Sequence, residues 1–257
     1  MRLGALTIAT ATAVALVVAP ATAHAAKKPV YKVSISTSTA KADVGQTIKV
    51  SGKVRGPKAA KMRLAVQVKV GAGKWKTVKK VRTTKKNRYA TAVKVTTAGQ
   101  QQLRVVAPKS KKARQGVSKA RGFVGWRWLD LTAQAKEARG SVRVGPVTIA
   151  GKTYAKAITL IDARLAFNVN DLCDTFTAGV GVKDGIDEGA SVDTFVSTPG
   201  WGNGSVTELA PGAPAKALKE NLKGIYTVGM IVEGGVVSTV DPTAHCSVNT
   251  LPNPVVH

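Results

Sequence analysis

A tryptophan held between glycines, in Pro199-Gly200-Trp201-Gly202-Asn203-Gly204, is the residue of this chain best suited to meet a ligand. Such a run interrupts helix and strand alike, which predicts a loop with little bulk beside the indole face. A ligand with C–H groups on one face and polar groups at its edge needs a flat apolar surface and convergent hydroxyl, amide or carboxylate partners. Trp201 and Asn203 are the candidate ring and amide, and the densest acidic turn, with Asp184, Asp187 and Glu188, is the candidate source of carboxylates. The same oxygens could hold Ca2+, but their spacing departs from the EF-hand pattern of acids at positions one, three and five. A solvated acidic turn is the plainer alternative, and no other cofactor is expected.

Catalysis asks for more than these residues offer. A hydrolase needs a nucleophile with an oriented base, or two carboxylates flanking the scissile bond. The chain has no Gly-x-Ser-x-Gly, Ser-x-x-Lys, His-Glu-x-x-His or phosphate loop. Carboxylates clustered within one turn do not face each other across a glycosidic bond. The expectation is a protein that is not an enzyme.

Residues 1–25 read as an export leader: Arg2, an apolar run from Leu3 to Val18, and an Ala23-His24-Ala25 end that predicts cleavage after Ala25. No later stretch is long and apolar enough to span a bilayer, so no transmembrane anchor is expected and the mature chain is read as extracellular or wall-associated. Export makes the pair Cys173 and Cys246 read as a disulfide, against the alternative of two free buried thiols. Zinc is disfavoured, because His245 and two distant cysteines lack Cys-x-x-Cys or His-x-x-x-His spacing.

Charge divides the chain. Residues 27–121 hold 27 Lys+Arg and one acid, Asp43, a net of +26, whereas residues 122–257 hold 11 Lys+Arg and 13 acids, a net of −2. This predicts a cationic module over 26–107, a basic solvated linker over 108–121, and a second domain over 122–257. A cationic module displaces counterions from any polyanion, so residues 27–121 could attach to an anionic wall polymer. No zinc finger, basic recognition helix or RNP-type aromatic set appears, and nucleic acid is not expected as a partner.

In the basic half apolar residues alternate with polar ones, as in Ile48, Val50 and Val54, then Leu64, Val66 and Val68, and later Leu103 and Val105. That is the period of half-buried strands, and the turn spacing fits a β-sandwich. Val44-Gly45-Gln46-Thr47-Ile48, Gly73-Lys74-Trp75-Lys76, Asn87-Arg88-Tyr89 and Ala98-Gly99-Gln100 resemble the immunoglobulin-like modules of exported bacterial proteins. The resemblance implies an immunoglobulin-like sandwich that commonly acts as a spacer, with Trp75 and Tyr89 in its core.

The second half shows β-like runs over 141–149, 165–169, 175–182, 191–196, 225–233 and 247–251. Residues 133–139 and 215–223 could form short helices, since each ends before Gly140 or Gly224, and Leu218 and Leu222 stand four apart. Trp126 and Trp128 read as core anchors and His245 as a structural residue. Trp128-Leu129-Asp130-Leu131, Gly151-Lys152-Thr153-Tyr154 and Asp174-Thr175-Phe176-Thr177-Ala178-Gly179-Val180 resemble segments of the NPCBM family of carbohydrate-binding modules. The resemblance implies a galactose-binding-like jelly-roll β-sandwich that binds glycan, and it places a strand where Leu218 and Leu222 suggest a helix. Together these readings give an all-β, two-domain exported protein that binds cell-surface or extracellular glycan, with a structural or adhesion protein lacking a sugar site as the alternative.

Overall fold

The computed structural model describes residues 28–135, 139–199 and 201–252; the leader reading lies outside the described residues. Among these residues the regular structure is all β apart from one 3-10 turn at Thr132–Gln134. The first unit is a sandwich of two sheets. One holds β1 (Lys32–Val33), β2 (Ser36–Thr37), β4 (Thr47–Arg55) and β7 (Arg88–Lys94). The other holds β3 (Lys41–Asp43), β5 (Arg63–Val70), β6 (Lys76–Arg82), β8 (Gly99–Ala107), β9 (Gly116–Val117) and β10 (Arg121–Asp130).

Strand alternation builds this core as the sequence predicts. Ile48, Val50 and Val54 of β4 face Leu64, Val66, Leu103 and Val105 of the opposite sheet, while Lys49 and Lys53 point to water. Tyr89 is buried among them, and its hydroxyl donates to Ser34 O at 2.6 Å. Burial pushes the Tyr89 phenol well above its usual range. Trp75 departs from its core reading, because its ring lies on the outer face of the second sheet, 4.2 Å from the Arg104 guanidinium.

The second unit contains β11 (Arg139–Val144), β14 (Ala157–Asn168), β15 (Cys173–Gly181), β16 (Ala190–Thr198) and β17 (Trp201–Leu209). It continues with β18 (Lys216–Asn221), β19 (Thr227–Ile231) and β20 (Val236–Cys246), and carries a hairpin of β12 (Val147–Ile149) and β13 (Lys152–Tyr154). Its strands close over Leu131, Leu160, Leu165, Phe167, Phe176 and Val237. β14 pairs with β20 before a bend at Asp162 and with β19 after it; β20 bends at Asp241 and passes from β14 to β10. Both bend residues have positive φ, 45° and 47°. The Asp162 carboxylate holds its bend by accepting the Gly234 N–H at 2.6 Å.

Three sequence readings change. Residues 215–223 contain β18, an edge strand, instead of a helix, because a spacing of four between Leu218 and Leu222 is even and fits an extended chain as well as a helix. Of residues 133–139, the described part is a 3-10 turn and the start of β11. Residues 247–250 are bends and Leu251 is irregular, after a strand that ends at Cys246.

Residues 108–121 are a structural part of the first unit rather than a solvated connection. Ala113, Gly116 and Ser118 are buried, β9 pairs with β8, and Ser118 Oγ accepts the Val105 N–H at 2.9 Å. Small residues tuck the backbone in while the basic side chains stay wet. No gap then separates the units, because β10 belongs to both. Its first half pairs with β8 and β3, and its second half pairs with β20. Phe123 enters the first core and Leu129 the second from the same side of the strand, six residues apart. At the crossing, a Cβ on Gly125 would meet Thr97 O at 2.3 Å, so only glycine lets the first unit's backbone approach.

Cys173 and Cys246 are bridged, opposite each other on β15 and β20. Closing a 73-residue separation restricts the unfolded chain, so the double substitution Cys173→Ser/Cys246→Ser should cost roughly 4 kcal/mol. Because β10 is shared, both wild type and variant should melt in one calorimetric transition; two resolved transitions would show that the units unfold independently.

Candidate functional site

The residues singled out by sequence do not converge. Trp201 is 61% exposed, but it opens β17 opposite Thr198 instead of standing in a long loop. Asn203 is exposed on the same strand face, opposite Val196. The turn with Asp184, Asp187 and Glu188 precedes β16, whose eight steps from Ala190 to Thr198 separate it from Trp201 by about 26 Å at ~3.3 Å per residue. Asp184 is occupied structurally: its carboxylate accepts the N–H groups of Ala150 at 2.7 Å and Gly151 at 2.9 Å, fixing the β12–β13 hairpin. Asp187 and Glu188 are exposed. Among the described residues no three His, Cys, Asp or Glu side chains gather as metal ligands.

A denser constellation lies where β10 crosses between the units. On β10 the odd-numbered Phe123 and Leu129 face the cores, which turns Trp126 and Trp128 outward. Trp128 is 49% exposed, so it is a surface ring and not a core anchor. It pairs across the ladder with His245 of β20, and the two rings stand 4.9 Å apart between centroids. The Trp126 ring also stands near the imidazole, 5.2 Å between centroids, and Lys41 Nζ sits 5.1 Å from the Trp126 ring.

Two carboxylates hold His245. Asp174 Oδ1 lies 2.8 Å from Nδ1, and Asp43 Oδ1 lies 3.1 Å from Nε2. Asp174 reaches this position because β15 bulges between Cys173 and Thr175, which re-aims a side chain beside the disulfide. Asp43 is the one acid of residues 27–121, so this contact ties the cationic unit to the second one.

The row continues outward. Trp128, His245, Thr175 and Asn221 lie side by side on one face across β10, β20, β15 and β18, since directly paired residues share a face. The neighbouring row holds Asp130, Thr243, Thr177 and Lys219. A cleft of about 410 Å³ opens beside it, lined by Asp174, Thr175, Lys219, Glu220, Asn221 and Lys223. The face therefore presents an aromatic ring, hydroxyls, an amide and carboxylates, the groups that stack on and hydrogen-bond a sugar. The sequence reading of Trp126 and Trp128 as core anchors misses it; their even positions against Phe123, Leu129 and Leu131 carry the signal.

Residues 124–245 match the family model described as the NPCBM/NEW2 domain. The matched region begins inside β10 and ends at His245, so it contains Trp126, Trp128, Asp174, Thr175 and Asn221. No curated protein matches the chain.

Asp130 bounds the face through a 2.7 Å ion pair with Lys156. Burial pulls its carboxyl upward, but hydrogen bonds from Lys156 and Thr132 outweigh that and hold it below the usual range. A folded-state value below the unfolded one adds stability above the unfolded value, and this is lost as pH falls through the folded value. Asp130→Asn should therefore be less stable than wild type at neutral pH, with the difference shrinking as pH falls through and below the ordinary carboxylate range. Denaturant midpoints measured across that range check it; a difference independent of pH would remove the ion pair as its cause.

Proposed function

We propose that the protein is an exported, non-catalytic carbohydrate-binding protein of the cell surface, whose second unit takes glycan on the Trp128 face. The observation that carries this reading is a half-exposed indole against His245, in one row with Thr175 and Asn221 and next to the Asp174 cleft. The NPCBM/NEW2 match over the same residues supports a carbohydrate ligand. The disulfide is consistent with an oxidising compartment, and no helix among the described residues is long and apolar enough to cross a membrane. The positive charge of residues 27–121 supports attachment to an anionic wall polymer.

A second surface supports a variant of the same reading. Trp201 lies at one flank of β16, and Tyr226, 44% exposed, lies at the other, its N–H donating to Ser197 O at 2.9 Å. Two exposed aromatics with Asn203 nearby could also seat a sugar, without the acidic turn.

A glycan array followed by calorimetry separates these readings. Trp128→Ala should lower affinity for the bound glycan at least about tenfold, ~1.4 kcal/mol, with Trp201→Ala within about twofold of wild type. Both variants should melt near wild type because neither ring is in the core. A loss confined to Trp201→Ala would move the site to β17, and no binding by wild type across a broad array would favour a structural or adhesion role.

A further inference from the structure

The outward face of β10 does not end at the seam. Gln102 of β8 lies opposite Gly122 and Gln100 opposite Val124, which puts Gln100, Gln102 and Arg104 on the face that carries Trp126 and Trp128. One strand further, Gln67 and Lys69 of β5 lie opposite Arg104 and Gln102. Beyond them, Lys80 of β6 lies opposite Ala65, and Arg82 opposite Arg63. A single sheet face thus runs from a cationic end in the first unit to the Trp128 row in the second.

The cationic end has features of its own. The Trp75 ring lies 4.2 Å from the Arg104 guanidinium and 5.9 Å from Lys69 Nζ, and Arg104 Nε donates to Gln67 Oε1 at 2.8 Å. Beside it is a hollow of about 270 Å³, floored by Ala65 and Val106 and rimmed by Arg63 and Lys80. Residues 27–121 hold a single carboxylate, Asp43, which His245 contacts, so no acid of that stretch neutralises this end.

From these placements we infer that one chain of an acidic polysaccharide lies along this face and engages both units, its anionic groups at Arg63, Lys69, Lys80 and Arg104 and a sugar ring on Trp128. The inference rests on the glycan reading of the Trp128 face and extends it to a substrate class. Trp128 stands six steps along β10 from Gly122, about 20 Å, and the cationic end lies farther still. A mono- or disaccharide reaches only one end, whereas a polymer reaches both, and tethered contacts reinforce each other. Nucleic acid carries the right charge for the first unit, but a DNA strand brings no free ring hydroxyls to the cleft of Asp174, Thr175 and Asn221 in the second.

The experiment uses the full chain at physiological ionic strength. The probes are a carboxylated polymer (polygalacturonate), a polyol-phosphate polymer, a neutral glucan, short oligomers of each acidic polymer, and single-stranded DNA. The triple variant Arg63→Gln/Lys69→Gln/Lys80→Gln should weaken at least one long acidic polymer about tenfold or more, because with three cations removed from the face, binding frees fewer counterions from the polymer. The matched triple Lys49→Gln/Lys53→Gln/Lys94→Gln, on the opposite sheet, should stay within about twofold, since it removes equal charge from the wrong face. Trp128→Ala should weaken the same polymer, and short oligomers should bind less tightly and ignore the first triple. The polymer that shows this pattern identifies carboxylate or phosphate as the anionic group.

Equal losses from both triples would overturn the inference by reducing it to net charge. Equal affinity of short and long oligomers, or tighter binding of DNA than of either acidic polymer, would overturn it as well. If Trp128→Ala weakens glycan binding but the first triple does not, only the continuous face fails. If Trp128→Ala changes no glycan, the carbohydrate reading of that face fails with it.

Discussion

A strand that pairs with one unit at its start and with another at its end leaves neither unit free to choose its orientation. β10 is that strand, ten residues from Arg121 to Asp130, and its ladder bonds run to β8 and β3 before the crossing and to β20 after it. Side-chain alternation has a period of two, so a slip of one residue would send Phe123 and Leu129 out of both cores together. The register that buries them is therefore fixed twice. Everything on the opposite face, from Val124 through Trp126 and Trp128 to Asp130, is fixed with it. Asn249 adds a local lock: its side-chain carbonyl accepts the Ala98 N–H at 3.3 Å and its amide donates to the Thr97 hydroxyl at 2.9 Å.

Much of the architecture was legible from alternation alone. In β4, β5 and β8 the alternate apolar positions Ile48, Val50, Val54, Leu64, Val66, Leu103 and Val105 are buried, and the positions between them, such as Lys49, Lys53, Gln67 and Arg104, are not. The strands that escaped notice carry local contradictions. β17 begins Trp201-Gly202-Asn203-Gly204, a turn-like string, yet it forms nine ladder pairs with β16. β20 contains Asp241-Pro242, which reads as a break; the bend at Asp241 absorbs the proline, whose carbonyl accepts the Leu131 N–H at 2.9 Å. In each case long-range pairing overrides a local preference.

The site was less legible for a related reason. Sequence shows which residues are chemically able, but the contact between Asp43 and His245 spans 202 positions and depends on β3 running parallel to β10. The approach of Asp174 depends on a bulge, which has no composition signature. The two cysteines were the one long-range pair that counting could find, because an even pair is informative wherever export is expected. Their bridge brings Asp174 and His245, the residues beside them, into register, so the covalent link and the polar cluster are two consequences of one strand pairing.

Charge asymmetry takes a geometric meaning from the shared sheet. A cationic module on a flexible linker would capture polyanions in any orientation, and its positive potential would say nothing about the second unit's ligand. Joined through β10, the same charges have an address relative to Trp128, and the two faces of the first unit cease to be equivalent. Lysines on β4 and β7 look away from the aromatic row, whereas Arg63, Lys69, Lys80 and Arg104 look along it. Flat sheet faces also suit a long ligand better than a pocket does, because successive rings and charges can repeat their contacts without the chain having to bend. For the proposed polymer ligand, selectivity would then rest on the spacing between the cationic and aromatic ends, a distance set by backbone pairing rather than by the side chains at either end.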